Sequence, residues 1–229
     1  MTNPDESPLV SLLRDFPPAE GSPAWDDWPF HAEQNIERGR DRIAQLVPAR
    51  YAEATATAPE VAAWVRALVE GAARSRKSVS PLVNTGPSLL VLGPTGTGKT
   101  HQAYGAMRAL SLSGVSAPWR FSTAADIYAQ MRPRHKVDSE EVFESYAKAR
   151  VLVVDDLGAA KGSEWNEEVN YRLINFRYEQ ELPTLITSNV PAKELGSVVG
   201  ERVASRLTEM AQRVVLRGED RRRTVRQAA

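Results

Sequence analysis

The sequence predicts an α/β fold in which a parallel sheet is covered by helices on both faces. Three observations lead there. From residue 88 onward, short apolar runs alternate with longer stretches of helical periodicity, the pattern that parallel sheets and their crossover helices leave in a sequence. The first apolar run ends in a glycine-rich turn, "GPTGTGKT" (93–100). The third, "VLVVDD" (151–156), ends in two acids at the carboxyl end of a strand, where open sheets of this class bind their ligands.

Taken in order, residues 1–33 read as a solvated tail. Prolines 4, 8, 17, 18, 23 and 29 deny it regular helix, and seven acids against one base (Arg14) deny it a core. Within it, "AWDDWPF" places Trp25, Trp28 and Phe30 as anchors that either dock on a partner or fold back onto the body. Residues 33–46 form a short charged helix stopped before Pro48. Pro59 opens the next helix, 59–76, whose Val61, Trp64, Val65 and Leu68 share one face at helical spacing. Strand 88–92 then leads through the glycine turn into helix 99–113. Strand 117–121 precedes helices 123–131 and 139–148. Strand 150–155 precedes helix 164–181, strand 184–188 precedes helix 198–211, and a short strand, 213–217, closes the series.

A chain of 229 residues, 42% hydrophobic and 25% charged, suits one medium-sized domain with an appendage. The absence of cysteine excludes disulfides and thiolate metal sites. The three histidines (His31, His101, His135) lack ligand spacing, which argues against structural zinc. No 18-residue apolar run and no signal-peptide pattern occur, so the expectation is a cytoplasmic protein without membrane contact. Net charge is zero but unevenly placed, with eight arginines against four acids in 201–229. A polyanion must therefore meet a local patch; "MRPRHK" (131–136) and the C-terminal arginines are the candidates, though each reads first as a solvated charge run.

The turn matches G-x-x-x-x-G-K-[ST] at Gly93, Gly98, Lys99 and Thr100. Its glycines let backbone N–H groups converge on one point, and the N-terminus of the following helix adds its dipole, so the loop favours phosphate oxygens. Lys99 is placed to reach the β- and γ-phosphates of a nucleoside triphosphate, and the Thr100 hydroxyl to ligate Mg²⁺. The strand-end acids complete that site. Asp155 holds Mg²⁺, directly or through water, and Asp156 activates the attacking water as general base. In "LITSNV", Asn189 stands at a strand terminus where a side chain holds the lytic water and senses the phosphate. In "GERVASRLTEM", Arg202 and Arg206 are four residues apart and share a helix face. In an assembly of identical subunits, such an arginine reaches a neighbour's γ-phosphate.

In this order and spacing, "GPTGTGKTH" (93–101), "LVVDDLGAAKGSEW" (152–165), "RYEQELPTLITSN" (177–189) and "GERVASRL" (200–207) resemble the AAA+ ATPases. More narrowly, they are similar to the bacterial replicative-helicase loaders of the DnaC/DnaI type and to the IstB transposition helper ATPases. "VPARYAEAT" (47–55) resembles the lead-in to that core, and the likeness covers residues 45–223. It implies a three-layer sandwich around a five-stranded parallel sheet, without a C-terminal helical lid. It implies residues 46–229 as the ATPase domain, and residues 1–45 as an acidic tail and helix that is a candidate partner-docking segment.

Carried over by position, the resemblance implies ATP held by Gly93, Pro94, Thr95, Gly96, Thr97, Gly98, Lys99, Thr100 and His101. Mg²⁺ falls to Thr100 and Asp155, catalysis to Asp156, first-sensor duty to Asn189, and the inter-subunit arginine finger to Arg206 with Arg202 assisting. The implied partners are the hexameric replicative helicase, single-stranded DNA and further copies of the chain through the ATP site. DnaI-type loaders carry an N-terminal zinc-binding domain that a cysteine-free chain does not build, so helicase contact would pass to residues 1–45. The rival is an IstB-like helper acting on duplex DNA with a transposase, for which a longer, more basic N-terminal region is the mark. Motifs coupling ATP to strand movement, which a motor helicase needs, are not found. Asp156 argues against a switch that binds nucleotide without hydrolysing it.

Overall fold

The computed structural model describes residues 28–74, 81–133, 138–159 and 162–218. Contacts divide the chain into two compact units, one formed from residues 1–86 and 101–118, the other from residues 87–100 and 119–229.

The second unit is built on a five-stranded sheet in the order β2-β3-β4-β1-β5. Its strands are β1 (Ser88–Leu92), β2 (Trp119–Thr123), β3 (Val151–Asp155), β4 (Thr184–Ser188) and β5 (Ala211–Val215), and every pairing is parallel. The expected α/β architecture is therefore present. The three inner strands are buried at every position, so their sequences are nearly continuous apolar runs, as strands covered on both faces must be. On one face Leu90, Leu92, Leu152, Val154 and Ile186 join a single apolar cluster with residues of the helices α4 (Ala124–Met131), α5 (Ser139–Ala147), α6 (Glu164–Glu179), α7 (Leu195–Val199) and α8 (Glu201–Met210). Capping fixes where these helices begin. The Thr123 hydroxyl accepts from the Asp126 N–H, the Asp138 carboxylate from Glu140 and Glu141, and the Ser163 hydroxyl from Asn166.

The first unit contains helices α1 (Trp28–Leu46) and α2 (Pro59–Arg74), the 3₁₀ turn Ala49–Tyr51, and most of α3 (Lys99–Ser111), which starts in the second unit. Val61, Trp64, Val65 and Leu68 form the buried face of α2, as their spacing predicts. The segment between the turn and α2 lies along α3. Gln102 donates to the Thr57 hydroxyl and accepts from the Ala58 N–H, Arg108 donates to the Ala54 carbonyl, and Tyr51 stacks on Tyr104. Helix α1 crosses the end of α3 at Gly39, where a Cβ would lie 1.9 Å from the Ser111 carbonyl oxygen. Asn35, buried beside it, donates to the Gly114 carbonyl at 2.9 Å.

Three sequence expectations are corrected. Helix α1 starts at Trp28 rather than 33, with Pro29 in its first turn, where a missing N–H costs nothing because no intrahelical acceptor awaits it. Trp25 lies outside the described residues, as do the side chains of Trp28 and Phe30. The helix expected over 198–211 is two helices, broken at Gly200, whose φ of +97° is left-handed. Strands β2 and β5 are displaced by two residues from 117–121 and 213–217. Pro118 cannot join a ladder, so β2 starts after it, and β5 takes its register from β1 beginning at Ser88↔Ala211.

Candidate functional site

Parallel pairing brings the carboxyl ends of β1, β3 and β4 to the same edge of the sheet, and three of the four motifs sit there. Residues 93–98 link β1 to α3. Gly96 and Gly98 have φ of +86° and +92°, conformations that side-chain-bearing residues rarely adopt. The turn is closed by Thr97, whose hydroxyl donates to the Pro94 carbonyl at 2.9 Å. Pro94 and Thr95 are exposed at its tip. Lys99 and Thr100 open α3, and His101 follows in its first turn. The first N–H groups of a helix have no partner within it, so they face the turn as donors.

Lys99 is buried, and its ammonium donates to the Gly93 carbonyl at 2.8 Å and the Pro94 carbonyl at 3.0 Å. The side chain thus arches back over the loop. The Thr100 hydroxyl donates to Asp155, 2.9 Å from Oδ2 and 3.2 Å from Oδ1. A carboxylate and a hydroxyl held together are hard oxygen donors of the kind Mg²⁺ takes. Asp155 is 4% exposed, and burial pushes its carboxyl above the ordinary aspartate value, reinforced by the neighbouring Asp156 and opposed by Thr187, Thr100 and Lys99. A cation arriving there meets a desolvated carboxylate with little competition from water, so these residues fit the metal of a nucleoside triphosphate site.

Asp156, next along the chain, is exposed and left-handed, with φ of +55°. Two residues that the sequence reading passed over shape this corner. Thr187 donates its hydroxyl proton to Asp155 Oδ1 at 2.5 Å and accepts the Asp156 N–H at 2.9 Å. Ser188 donates to the Leu157 carbonyl at 2.6 Å and accepts the Val190 N–H at 3.1 Å. The signal for them was two hydroxyl residues closing an apolar run, an unremarkable pattern in a strand. Asn189 emerges exposed immediately after β4.

Arg202 and Arg206 share a face of α8, as their spacing predicts, and their contacts are with α6 and α8 rather than with the loop. The Arg202 guanidinium lies 5.8 Å from the Tyr171 ring centre and that of Arg206 4.4 Å from the Tyr178 ring centre. Arg206 also pairs with Glu209 at 3.6 Å, and the Tyr178 hydroxyl donates to the same carboxylate. In the suggested polyanion patches, Arg132 lies 5.7 Å from the Trp165 ring centre, and Arg213 and Arg217 are exposed. Residues 134–136 and the arginines beyond 218 fall outside the described residues.

Comparison with known proteins bears on the family and the fold. The chain is 26% identical over 137 residues to the replicative helicase loader DnaC of Escherichia coli K12, an overlap of 58% of this chain and 55% of the loader. It is 30% identical over 124 residues to a protein named for ATP binding in insertion sequence IS21 of Pseudomonas aeruginosa, covering 53% of this chain and 45% of that one. The chain thus spans about half the length of these curated relatives. Its fold matches the crystal structure of the DnaC helicase loader with a TM-score of 0.61 at 24% identity, over 74% of this chain and 100% of that one. It also matches DnaI, with a TM-score of 0.52 at 23% identity over 61% and 74% of the two chains. The fold is accordingly that of the P-loop AAA+ proteins, and no described helix is long and apolar enough to cross a membrane. The profile of the IstB-like ATP binding protein family matches residues 74–229, more than half of the chain, and the chain belongs to that family.

Proposed function

We propose that this protein is an ATP-dependent loader that delivers a hexameric replicative helicase onto single-stranded DNA, with ATP binding and slow Mg²⁺-dependent hydrolysis as its switch. The observation that carries the ATPase half is the Thr100–Asp155 pair beside Lys99 at the mouth of the glycine turn. The loader half rests on the likeness to DnaC, in fold and in sequence.

In this reading the turn from Gly93 to Thr100 wraps the phosphates, and Lys99 exchanges the Gly93 and Pro94 carbonyls for phosphate oxygens. Thr100 and Asp155 hold Mg²⁺, which when bound neutralises charge on the β- and γ-phosphates. Asp156 takes the proton of the attacking water, and Asn189 orients that water. Arg206, assisted by Arg202, reaches the site of an adjacent copy, so hydrolysis is slow in the monomer and faster in an assembly. Residues 1–45 dock the helicase, and 46–229 form the ATPase domain.

The second reading, an IstB-like helper that works on duplex DNA with a transposase, is favoured by the family match over 74–229 and by the IS21 relative. The acidity of residues 1–33 favours the loader. Co-elution with the hexameric replicative helicase of the same source, in ATP and in ADP, separates the two. The loader reading expects a complex favoured by ATP; absence of a complex in both nucleotides would overturn it and leave the transposition helper.

A further inference from the structure

The corner where β3 and β4 end is stapled by two consecutive hydroxyls. Thr187 is fully buried, and its hydroxyl both donates and accepts: the proton goes to Asp155 Oδ1, and the oxygen accepts the Asp156 N–H. Its own carbonyl accepts the Leu157 N–H at 2.9 Å, and Ser188 binds the Leu157 carbonyl from the next position. Residues 155–157 are therefore tied to 187–188 at successive points. The tie falls where the backbone needs one. Asp156 holds a φ of +55°, a left-handed conformation uncommon for residues with side chains, although aspartate adopts it more readily than most, and local anchorage steadies it. A threonine buried only for packing would do no more than a valine, and a valine donates nothing to Asp155 and accepts nothing from Asp156.

We propose that Thr187 is a positioning residue for ATP hydrolysis, its one hydroxyl setting the carboxylate of Asp155 and the main chain of Asp156 together. The carboxylate of the metal-holding acid and the main chain that carries the water-activating acid are then fixed by a single group. Because Thr187 sits two residues before Asn189 on the same strand end, the sensor's backbone shares that anchorage. This inference rests on the hydrolase reading above.

Thr187→Ala and Thr187→Ser test it, since both lack the methyl group and they differ by one hydroxyl. Steady-state ATPase measurements on the full chain, at a fixed high protein concentration and with Mg²⁺ varied, are compared for both variants and the wild type. The expected result is a fall in kcat of about tenfold to a hundredfold for Thr187→Ala, with KM for ATP changed by no more than about threefold. Half-saturating Mg²⁺ should rise several-fold, and Thr187→Ser should return all three to near the wild-type values. A structural role alone leaves kcat and the Mg²⁺ dependence of the folded fraction unchanged. Equal kcat in the Ala and Ser variants would overturn the inference while leaving the hydrolase reading intact. An inactive wild type at every protein concentration would overturn the hydrolase reading, and this inference with it. Should Thr187→Ala not fold, Thr187→Val fills the same space without the hydrogen bonds and takes its place against Thr187→Ser.

Discussion

Asp155 is a carboxylate that the fold keeps from water before any cation is there to balance it. Because burial raises its pKa, protonation favours the nucleotide-free fold. That stabilisation is complete below the ordinary aspartate range and is lost as pH rises through the raised value. Asp155→Asn carries no charge at any pH. It is expected to raise the Tm of the nucleotide-free protein at about pH 7.5, by an amount that shrinks toward about pH 4. On the proposed reading, Mg²⁺ and ATP should raise the Tm of the wild type and the variant should lose that gain; thermal unfolding across pH, with and without Mg²⁺-ATP, reads both effects. A Tm below that of the wild type at neutral pH would contradict the account of burial. The glycine turn and Asp155 were legible in the sequence because phosphate chemistry constrains the spacing of the one and the strand-end placement of the other. Thr187 was not, because threonine is an ordinary strand former and its hydrogen bonds join positions more than thirty residues apart, a relation that only strand pairing creates.

At the scale of elements, Arg177 does what no local pattern announces. From the last turn of α6 its guanidinium donates to the carbonyls of Tyr146, Ala147 and Ala149, to the Pro183 carbonyl and to the Thr184 hydroxyl. It thereby satisfies carbonyls at the end of α5 and fixes the entry to β4. The side chain is fully buried, and burial pushes its pKa down to about 9, so it remains charged at neutral pH. Arg177→Met, which strands those acceptors, is expected to cost about 3–5 kcal/mol, measured as a lower urea midpoint. Arg177→Lys keeps the charge without the planar fork and should recover only part of the loss. The inner strands were legible because burial on both faces makes them apolar throughout. The edge strands were not, since β5, with Gln212, Arg213 and Val215 exposed, owes its place to pairing with β1 rather than to composition. The start of α1 was hidden by Pro29, which reads as a breaker unless it falls in a helix's first turn.

For the whole molecule, the proposed reading makes the functional unit larger than one chain. A site whose finger comes from a neighbour predicts specific activity that rises with protein concentration. It also predicts rescue in a mixture. Arg206→Ala keeps its own site and lacks a finger to lend, whereas Asp156→Asn keeps the finger and lacks the base. Each alone should lose about tenfold or more of the ATPase rate, and mixing them should restore part of it through pairs that combine the intact halves. Mixtures no more active than the sum of their parts would place the finger in cis or nowhere. Neither prediction could be drawn from net charge, since within α8 itself Arg202 and Arg206 are matched by Glu201 and Glu209.

No loop separates α8 from β5: the helix ends at Met210 and the strand begins at Ala211. Two positions beyond Gln212, Val214 pairs with Val91, and the Leu216 N–H then reaches the Leu92 carbonyl at 2.8 Å, beside the start of the glycine turn. The helix bearing Arg202 and Arg206 therefore has no slack before the sheet. A neighbouring copy that steadies α8 must also quiet the fluctuations of β5 against β1. Subunit association would then be recorded as slowed amide-hydrogen exchange along that ladder, a readout that needs neither nucleotide turnover nor a label at the contact.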